Sequence, residues 1–199
     1  MSTAYCFDYD GTLTTTELLP SIAAELGLSG EIALLTKLTM DGLIPFEDSM
    51  RLRVALLSQV ETSKVEDIVQ EIPVDERIAS FIGSNPDNCF VISGNLDIWL
   101  RKALAPLNCE YFLSTAYRSN GKITLTSVLN KAAAVTVLRK QGFERIIAIG
   151  DGANDVPMFE RADISIAYGG VHSPAAAAIA ASDFVVHDGG TLCSLLRTL

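Results

Sequence analysis

The chain has few basic residues, only two histidines and no long hydrophobic run. Its 199 residues include 15 Lys and Arg against 24 Asp and Glu, which gives a formal net charge of −9. Such a chain repels nucleic-acid backbones and anionic membranes, so neither is expected as a partner. A membrane-spanning helix needs about 18 or more apolar residues in succession, and the alanine-rich run over 174–181 is far shorter. An anionic substrate would need a local positive site or a metal.

Cysteine is scarce as well. The four cysteines are far apart in the sequence: Cys6, Cys89, Cys109 and Cys193. None forms a close pair with metal-ligand spacing, and none is followed six residues later by the arginine that a cysteine phosphatase loop requires. We expect free, buried thiols, which are typical of a reducing compartment and predict a cytoplasmic protein. The N-terminus has no basic start and soon reaches Asp8, so no signal peptide is expected.

The sequence does contain a regular alternation of short apolar runs and helical stretches. It predicts strands over 4–9, 89–93, 111–114, 145–150, 164–167 and 184–187. It predicts helices over 96–105, 131–141, 154–161 and 174–181, the last with Ser173 as N-cap. Asn120-Gly121 is typical of a type I′ hairpin turn. Several strands are hydrophobic throughout, which predicts an α/β fold with a doubly wound, mainly parallel Rossmann-like sheet.

Residues 14–73 break this alternation. They contain no strand signal, and amphipathic helices are predicted over 17–26, 31–40, 46–57 and 64–71. An all-helical insertion directly after the first strand lies over the carboxyl ends of the sheet, where ligands bind in such folds. We therefore predict a small helical cap over 14–73, and a catalytic core made of 1–13 and 74–199.

Acidic residues follow two of the predicted strands. Asp8 and Asp10 end the first strand, and residues two apart on a strand face the same side. Taken alone, this Asp-Gly sequence is equally compatible with a solvated turn. The strand over 145–150 also ends in carboxylates, Asp151 and Asp155. Four carboxylates at one edge of a sheet favour a site for a divalent cation such as Mg²⁺.

Residues suited to binding phosphate follow a third strand. Ser93-Gly94-Asn95 offers a hydroxyl and backbone N–H groups at the start of a helix, although a plain helix cap explains these residues as well. Lys131 lies in the first turn of its helix, where the helix dipole disfavours a cation, so a phosphate or simple solvation accounts for it. The chain has no P-loop sequence, and Leu13 occupies the position where an EF-hand beginning at Asp8 requires glycine.

The cap contains an arginine on an apolar face. On a helix starting at residue 46, one stripe holds Phe46, Met50, Arg53 and Leu57. Arg51 lies on the opposite side, four residues after Glu47, where the two form a solvated pair. An unpaired guanidinium on an apolar face is costly, so Arg53 needs an anion. That anion is either a substrate carboxylate or a protein group such as Glu17.

Four motifs now suggest a family. FDYDGTLT, VISGN, a lysine at a helix start and GDGANDVPMF are similar, in this order, to the four motifs of the haloacid dehalogenase superfamily of phosphatases. The resemblance spans essentially the whole chain. Within the superfamily the chain looks most like the phosphoserine phosphatases, because TMDGLIPFEDSMRLRVALL resembles their helical cap and Glu17 occupies the position of their substrate-contacting glutamate.

The resemblance implies roles for the acidic residues. Asp8 is the nucleophile that forms an aspartyl-phosphate, and Asp10 is the general acid and base. Mg²⁺ is held by the Asp8 carboxylate, the backbone carbonyl of Asp10 and Asp151, with Asp155 as a further ligand or orienting group.

The resemblance also implies a substrate. The phosphoryl oxygens are held by Ser93, Gly94, Lys131 and Asn154. The cap contacts are Glu17 on an ammonium, Arg53 on a carboxylate, and Met40 and Phe46 on apolar atoms. The implied reaction is hydrolysis of O-phosphoserine. The alternative is another small phosphomonoester, since Asn95 stands where these phosphatases usually have a second glycine.

Two other classes of protein fit less well. A phospho-accepting receiver module carries its phosphorylated aspartate at the end of a later strand, and the strand ending at Ser93 offers none. A catalytically inactive homologue is disfavoured because Asp8, Asp10, Lys131 and Asp151 are all present.

Overall fold

The sheet has seven strands. The computed structural model describes residues 2–199, so Met1, the first residue of the predicted core, lies outside the described residues. The strands are β1 (Thr3–Phe7), β2 (Cys89–Leu96), β3 (Glu110–Ser119), β4 (Lys122–Ser127), β5 (Arg145–Gly150), β6 (Ile164–Tyr168) and β7 (Phe184–Val186). Their order across the sheet is β4-β3-β2-β1-β5-β6-β7. All neighbouring strands are parallel except the β3–β4 pair.

Helices cover both faces of this sheet. The helices of the cap are α1 (Leu18–Ala23), α2 (Ser29–Met40), α3 (Phe46–Leu57) and α4 (Thr62–Glu71). Those of the core are α5 (Glu76–Ser84), α6 (Asp97–Leu104), α7 (Lys131–Lys140), α8 (Val156–Phe159), α9 (Ala176–Ala181) and α10 (Gly189–Thr198). Short 3₁₀ helices cover Ala24–Leu26, Ala105–Leu107 and Ala153–Asp155.

The two faces of the sheet bury separate hydrophobic clusters, because successive strand side chains point to opposite faces. From β1, Ala4 and Cys6 pack against α7, α8 and α9. Phe7 lies on the other face, in the cluster that includes α5, α6 and α10. The predicted doubly wound α/β architecture is therefore confirmed.

The hairpin between β3 and β4 forms where Asn120-Gly121 predicted it. Both residues have positive φ, 50° and 74°, as a type I′ turn requires. The glycine carries no steric cost in this conformation, and asparagine tolerates it.

The helical segment leaves and re-enters the core at neighbouring points. Thr14 and Val74 form an isolated antiparallel bridge, and the Asp75 N–H donates to the Leu13 carbonyl at 2.9 Å. The division into a cap over 14–73 and a core stays a prediction, and the two names are used below for these segments. The helices α1 to α4 lie between these two crossings. The paired segments at Thr14 and Val74, called the neck below, connect them to the sheet.

Two helix predictions differ from the structure, and one helix was not predicted. Ser173 is not an N-cap, because the N–H of Ala175 donates to the Asp151 carbonyl at 2.8 Å and the helix begins only at Ala176. The helix predicted over 154–161 is a 3₁₀ turn followed by the short α8, since the side chain of Asp155 turns back to the backbone before it. Helix α5 was not predicted. Among residues 2–199, no helix is both long and apolar enough to cross a membrane.

Candidate active site

Three adjacent strands bring the predicted acidic and phosphate-binding residues to one edge of the sheet. β1 lies between β2 and β5 and runs parallel to both, so their carboxyl ends meet. The side chains delivered there belong to Asp8, Asp10, Ser93, Asn95, Asp151 and Asp155, joined by Lys131 from the first position of α7. The sites expected from sequence on these separate segments thus share one cleft.

The turn after β1 fixes the first acidic pair. The Asp8 N–H donates to the Ile149 carbonyl at 2.9 Å, which extends the pairing of β1 with β5. Gly11 then reverses the chain with φ of 69°. A Cβ on Gly11 would lie 2.8 Å from Oδ2 of Asp151 and 2.9 Å from Nε2 of His172. Glycine is needed here both for the left-handed backbone and for this close approach.

Lys131 is the counter-ion of two buried carboxylates. Its Nζ lies 2.6 Å from Asp8 Oδ1 and 2.6 Å from Asp155 Oδ1, and the side chain is 4% exposed. Burial lowers the pKa of Lys131, but the charges of Asp155 and Asp8 outweigh it and raise that pKa above its usual value. The ammonium therefore stays charged, and these carboxylates offset the unfavourable helix dipole.

A buried acidic cluster surrounds this lysine. Carboxylate oxygens of Asp8, Asp151 and Asp155 lie within 4.8 Å of one another. Asp155 Oδ2 accepts the N–H groups of Asp151 at 3.0 Å and Gly152 at 2.9 Å. Asp151 Oδ1 accepts the hydroxyl of Thr12 at 3.2 Å. Because both oxygens of Asp155 already have partners in the protein, the geometry favours Asp155 as the residue that orients the cluster.

The electrostatics of this cluster fit a metal ion. Burial and the nearby charge of Asp155 raise the pKa of Asp8 to about 7, although Lys131 opposes the shift. Burial and the charge of Asp8 likewise raise the pKa of Asp151 well above its usual value. A divalent cation relieves such repulsion, and carboxylate oxygens are the ligands that hard cations prefer. The donor set can therefore hold a metal ion of this kind.

The side chain of Asp10 lies apart from the cluster. Its Oδ1 accepts the N–H of Leu18 at 3.2 Å, and its Oδ2 accepts the side-chain amide of Asn95 at 2.8 Å. Burial and the charge of Glu17 raise the pKa of Asp10 well above its usual value, while the Asn95 hydrogen bond opposes this. Two aspartates from one strand end are thus held in different environments.

The cleft continues beneath the cap. Its cap side is lined by Glu17, Leu19, Thr36, Thr39, Met40, Phe46, Met50 and Arg53. Its core side is lined by Asp8, Asp10, Ser93, Gly94, Asn95, Asp151 and Asn154. The ring of Phe46 occupies the space where a Cβ on Gly94 would lie, so residue 94 must be glycine for the cap to pack this closely.

Arg53 lines the cleft without a carboxylate partner among the described residues. It is 4% exposed, and its Nη2 donates to the Leu35 carbonyl at 3.1 Å and to Thr39 Oγ1 at 2.7 Å. Its buried Nε has no partner in this part of the chain. Burial lowers the pKa of Arg53, while Asp10 and Glu17 oppose this. The structural Arg53–Glu17 pair that sequence allowed is not formed, because Glu17 contacts His172 instead.

Comparison with known proteins identifies the family. A model of the haloacid dehalogenase-like hydrolase family matches residues 6–160. The chain belongs to this family. Among curated relatives, the phosphoserine phosphatase of Methanocaldococcus jannaschii is 34% identical over 175 residues, which cover 81% of this chain and 83% of the relative. That of Lactococcus lactis subsp. lactis is 30% identical over 174 residues, covering 81% of each chain.

Solved structures of this hydrolase family match the fold along its whole length. A phospho-aspartyl intermediate analogue of phosphoserine phosphatase superposes with a TM-score of 0.83 at 28% identity, covering 100% of this chain and 99% of the other. A substrate-bound phosphoserine phosphatase complex gives the same values. Like these relatives, the protein is a phosphoric monoester hydrolase.

Sequence reasoning missed one residue of this hydrolase's site. The sequence analysis did not single out His172, yet its Nε2 lies 3.3 Å from Glu17 Oε1 and 3.3 Å from Asp151 Oδ2. The hydrogen bond to Glu17 raises the pKa of His172, against the effect of burial. One signal was available: His172 follows β6, a parallel strand whose carboxyl end lies at the same edge of the sheet.

Proposed function

We propose that the protein is a Mg²⁺-dependent phosphatase that hydrolyses O-phosphoserine through an aspartyl-phosphate on Asp8. The observation that carries the proposal is the difference between the surroundings of Asp8 and Asp10 at the end of β1. Asp8 lies in the acidic cluster against Lys131, whereas the Asp10 carboxyl lies outside it and accepts the Leu18 N–H and the Asn95 amide. A carboxylate beside positive charge suits a nucleophile, and a second carboxyl held apart from it suits an acid–base group.

In the first step, an oxygen of Asp8 attacks phosphorus and the bond from phosphorus to the serine oxygen breaks. The proton of Asp10 goes to that departing oxygen, and serine leaves. In the second step, Asp10 takes a proton from a water molecule, and the water oxygen attacks the phosphorus of the aspartyl-phosphate. The bond between Asp8 and phosphorus breaks, which releases phosphate and restores both carboxyl groups.

The charge of the phosphoryl group must be balanced for an anionic nucleophile to approach. Lys131 supplies one fixed positive charge beside Asp8. We assign Mg²⁺ to the Asp8 carboxylate, the Asp10 carbonyl and Asp151, with Asp155 orienting them. When bound there, Mg²⁺ neutralises charge that develops on the phosphoryl oxygens. We assign contacts with these oxygens to Ser93, Gly94, Lys131 and Asn154.

The cap supports an amino-acid substrate. Arg53 brings a buried guanidinium with an unpartnered Nε to the cleft, and a substrate carboxylate supplies the missing acceptor. Glu17 lies in the same wall and suits an ammonium, while Met40 and Phe46 contact apolar atoms. We further propose that residues 14–73 act as a lid that moves about the neck at Thr14 and Val74.

A second substrate class is favoured by one observation. Glu17 already contacts His172 at 3.3 Å, so an ammonium has to compete for this carboxylate. If the contact between His172 and Glu17 persists when substrate binds, the hydrolase recognises only the phosphate and the part of the substrate that faces Arg53. The second candidate is therefore another small phosphomonoester that lacks the ammonium.

A cytoplasmic location is part of the proposal. Within residues 2–199 the four cysteines are free, and burial raises the pKa of Cys6 and Cys89 above the usual range. Buried thiols of this kind are unreactive and persist in a reducing compartment.

The test is phosphate release from a panel of phosphorylated amino acids, sugars and nucleotides, each with Mg²⁺ and with EDTA. We expect the highest kcat/KM on O-phosphoserine, and loss of turnover in EDTA. Asp8→Asn is the negative control. A higher kcat/KM on a phosphomonoester without an ammonium replaces phosphoserine by the second candidate, and turnover that EDTA leaves unchanged contradicts the metal requirement.

A further inference from the structure

Asn95 lines the cleft near the end of β2. It is 5% exposed, and its Nδ2 donates to Asp10 Oδ2 at 2.8 Å. We propose that Asn95 is a positioning residue that aims the Asp10 carboxyl at the leaving oxygen, and so adapts the hydrolase to substrates with a basic alkoxide leaving group. This inference rests on the proposed function, because it assumes that Asp10 is the general acid.

The backbone holds Asn95 in a fixed position. Ser93 pairs with Leu113 of β3, and the next pair is Leu96 with Ser114, so Gly94 and Asn95 form a bulge in β2. β-Bulges re-aim side chains and often occur beside active sites. The Ser114 hydroxyl donates to the Gly94 carbonyl at 2.6 Å, and the Asn95 N–H donates to Ser93 Oγ at 3.2 Å. The amide of Asn95 therefore points at Asp10 from an anchored support.

Two donors fix the carboxyl group of Asp10 from opposite sides. Leu18, at the first turn of the cap, contacts Oδ1, and Asn95, from the core, contacts Oδ2. With both donors in place, rotation about the Cβ–Cγ bond is restricted. Without Asn95, Oδ2 of Asp10 loses this donor and the carboxyl is free to turn about the remaining hydrogen bond. Misplacement of a reacting group by about 1 Å costs up to roughly 100-fold in rate.

The leaving group provides a readout that separates positioning from general damage. When the bond from phosphorus to a serine oxygen breaks, the departing alkoxide needs the proton of Asp10. When the leaving group is p-nitrophenolate, it is stable without that proton. The ratio kcat/KM reports the steps up to the first irreversible one, formation of the phosphoenzyme. Loss of Asn95 should therefore lower kcat/KM on the alkyl substrate more than on the aryl substrate.

The experiment compares Asn95→Ala and Asn95→Gly with the unmodified hydrolase on O-phosphoserine and p-nitrophenyl phosphate. We expect kcat/KM on O-phosphoserine to fall by about 10- to 100-fold, and kcat/KM on p-nitrophenyl phosphate to change by less than about threefold. Asn88→Ala is the matched control, because Asn88 Nδ2 donates to the Thr3 carbonyl at 2.7 Å at the opposite end of the strands. It should leave the ratio of the two substrates unchanged.

The thermal midpoint of each variant is measured first, and rates are taken well below it. Asn95→Gly supplies the second variant, since it removes the whole side chain and adds no atoms to the bulge. Equal losses on both substrates, or no loss, overturn the role of Asn95. Failure of the proposed function is a separate outcome and is read from Asp10→Asn. If Asp10 is not the general acid, Asp10→Asn should lower kcat/KM on O-phosphoserine and on p-nitrophenyl phosphate by the same factor.

Discussion

Replacing Arg53 by alanine tests how the hydrolase recognises the end of the substrate that carries no phosphate. The guanidinium is buried in the cap wall of the cleft. Within residues 2–199 its only acceptors within hydrogen-bonding distance are neutral, the Leu35 carbonyl and Thr39 Oγ1. A substrate carboxylate placed there gains charge-assisted hydrogen bonds in a desolvated site. Arg53→Ala leaves that carboxylate buried and unpaired.

The size of the effect follows from this burial. Removing one partner of a buried, hydrogen-bonded charge pair costs about 2 to 5 kcal/mol, and each 1.4 kcal/mol is about tenfold. We therefore expect kcat/KM on O-phosphoserine to fall by about two orders of magnitude. On phosphoethanolamine, which lacks the carboxylate, and on p-nitrophenyl phosphate, the rate should change little. The three substrates thus separate recognition of the carboxylate from damage to the site.

The assay is phosphate release at saturating Mg²⁺, with the thermal midpoint measured in parallel. Arg51→Ala is the matched control, because Arg51 lies on the same helix, is 56% exposed and pairs with Glu47 at 2.6 Å. It should alter neither kcat/KM nor substrate preference, since exposed pairs contribute little. Equal losses on all three substrates in Arg53→Ala, together with a lower thermal midpoint, would refute the reasoning and assign Arg53 a structural role.

Three further predictions concern stability and packing. Asp75 caps α5 by accepting the N–H groups of Arg77 and Ile78, so Asp75→Ala should lower the unfolding free energy by about 1 kcal/mol. Calorimetry should show this as a drop in Tm of about 2–4 °C. Burial raises the pKa of Asp75, but the hydrogen bonds from Arg77 outweigh it and lower that pKa. The stability difference between the unmodified protein and Asp75→Ala should therefore vanish as pH falls through the depressed pKa. A stability difference that persists in acid contradicts the capping account. The Asp8 pKa is raised from 3.8 to about 7 in the metal-free protein, so the folded state binds more protons than the unfolded state between these values. The metal-free protein should therefore unfold at lower urea concentration at pH 8 than at pH 5, and Mg²⁺ should reduce that difference; a midpoint that rises with pH contradicts the sign. Finally, Gly94→Ala places a Cβ in the ring of Phe46 and should raise KM by displacing the cap; an unchanged KM for O-phosphoserine contradicts close packing at this point.

Most of the strands could be predicted from the sequence because their signals are local. The end of β2 was wrong: the strand continues to Leu96, so Ser93-Gly94-Asn95 lies within it and not at the start of a helix. β5 and α3 have the predicted bounds, and the hairpin forms at Asn120-Gly121. A buried strand followed by carboxylates specifies both the element and the edge of the sheet at which its residues lie. These features depend on neighbouring residues and on the parallel arrangement, and not on how the cap packs.

The partners of the site residues could not be predicted, because they come from distant segments. Periodicity placed Arg53 on the apolar face, but the contact with Thr39 depends on how α2 and α3 pack in the cap. Glu17 contacts His172 across 155 positions of sequence. The sequence showed Asn95 as a departure from the motif, whereas its hydrogen bond to Asp10 depends on the bulge in β2.

Trapping the covalent intermediate tests the central proposal most directly. The variant Asp10→Asn keeps Asp8 and Lys131 but has no base for the second step. Incubated with p-nitrophenyl phosphate and Mg²⁺, it should release one equivalent of p-nitrophenolate and then stall. Its intact mass should rise by one phosphoryl group. Borohydride reduces an acyl phosphate to an alcohol with loss of phosphate, so reduction followed by peptide sequencing should find homoserine in place of Asp8. Hydrolysis without a phosphorylated protein, or a phosphoryl group on any other residue, would contradict the account.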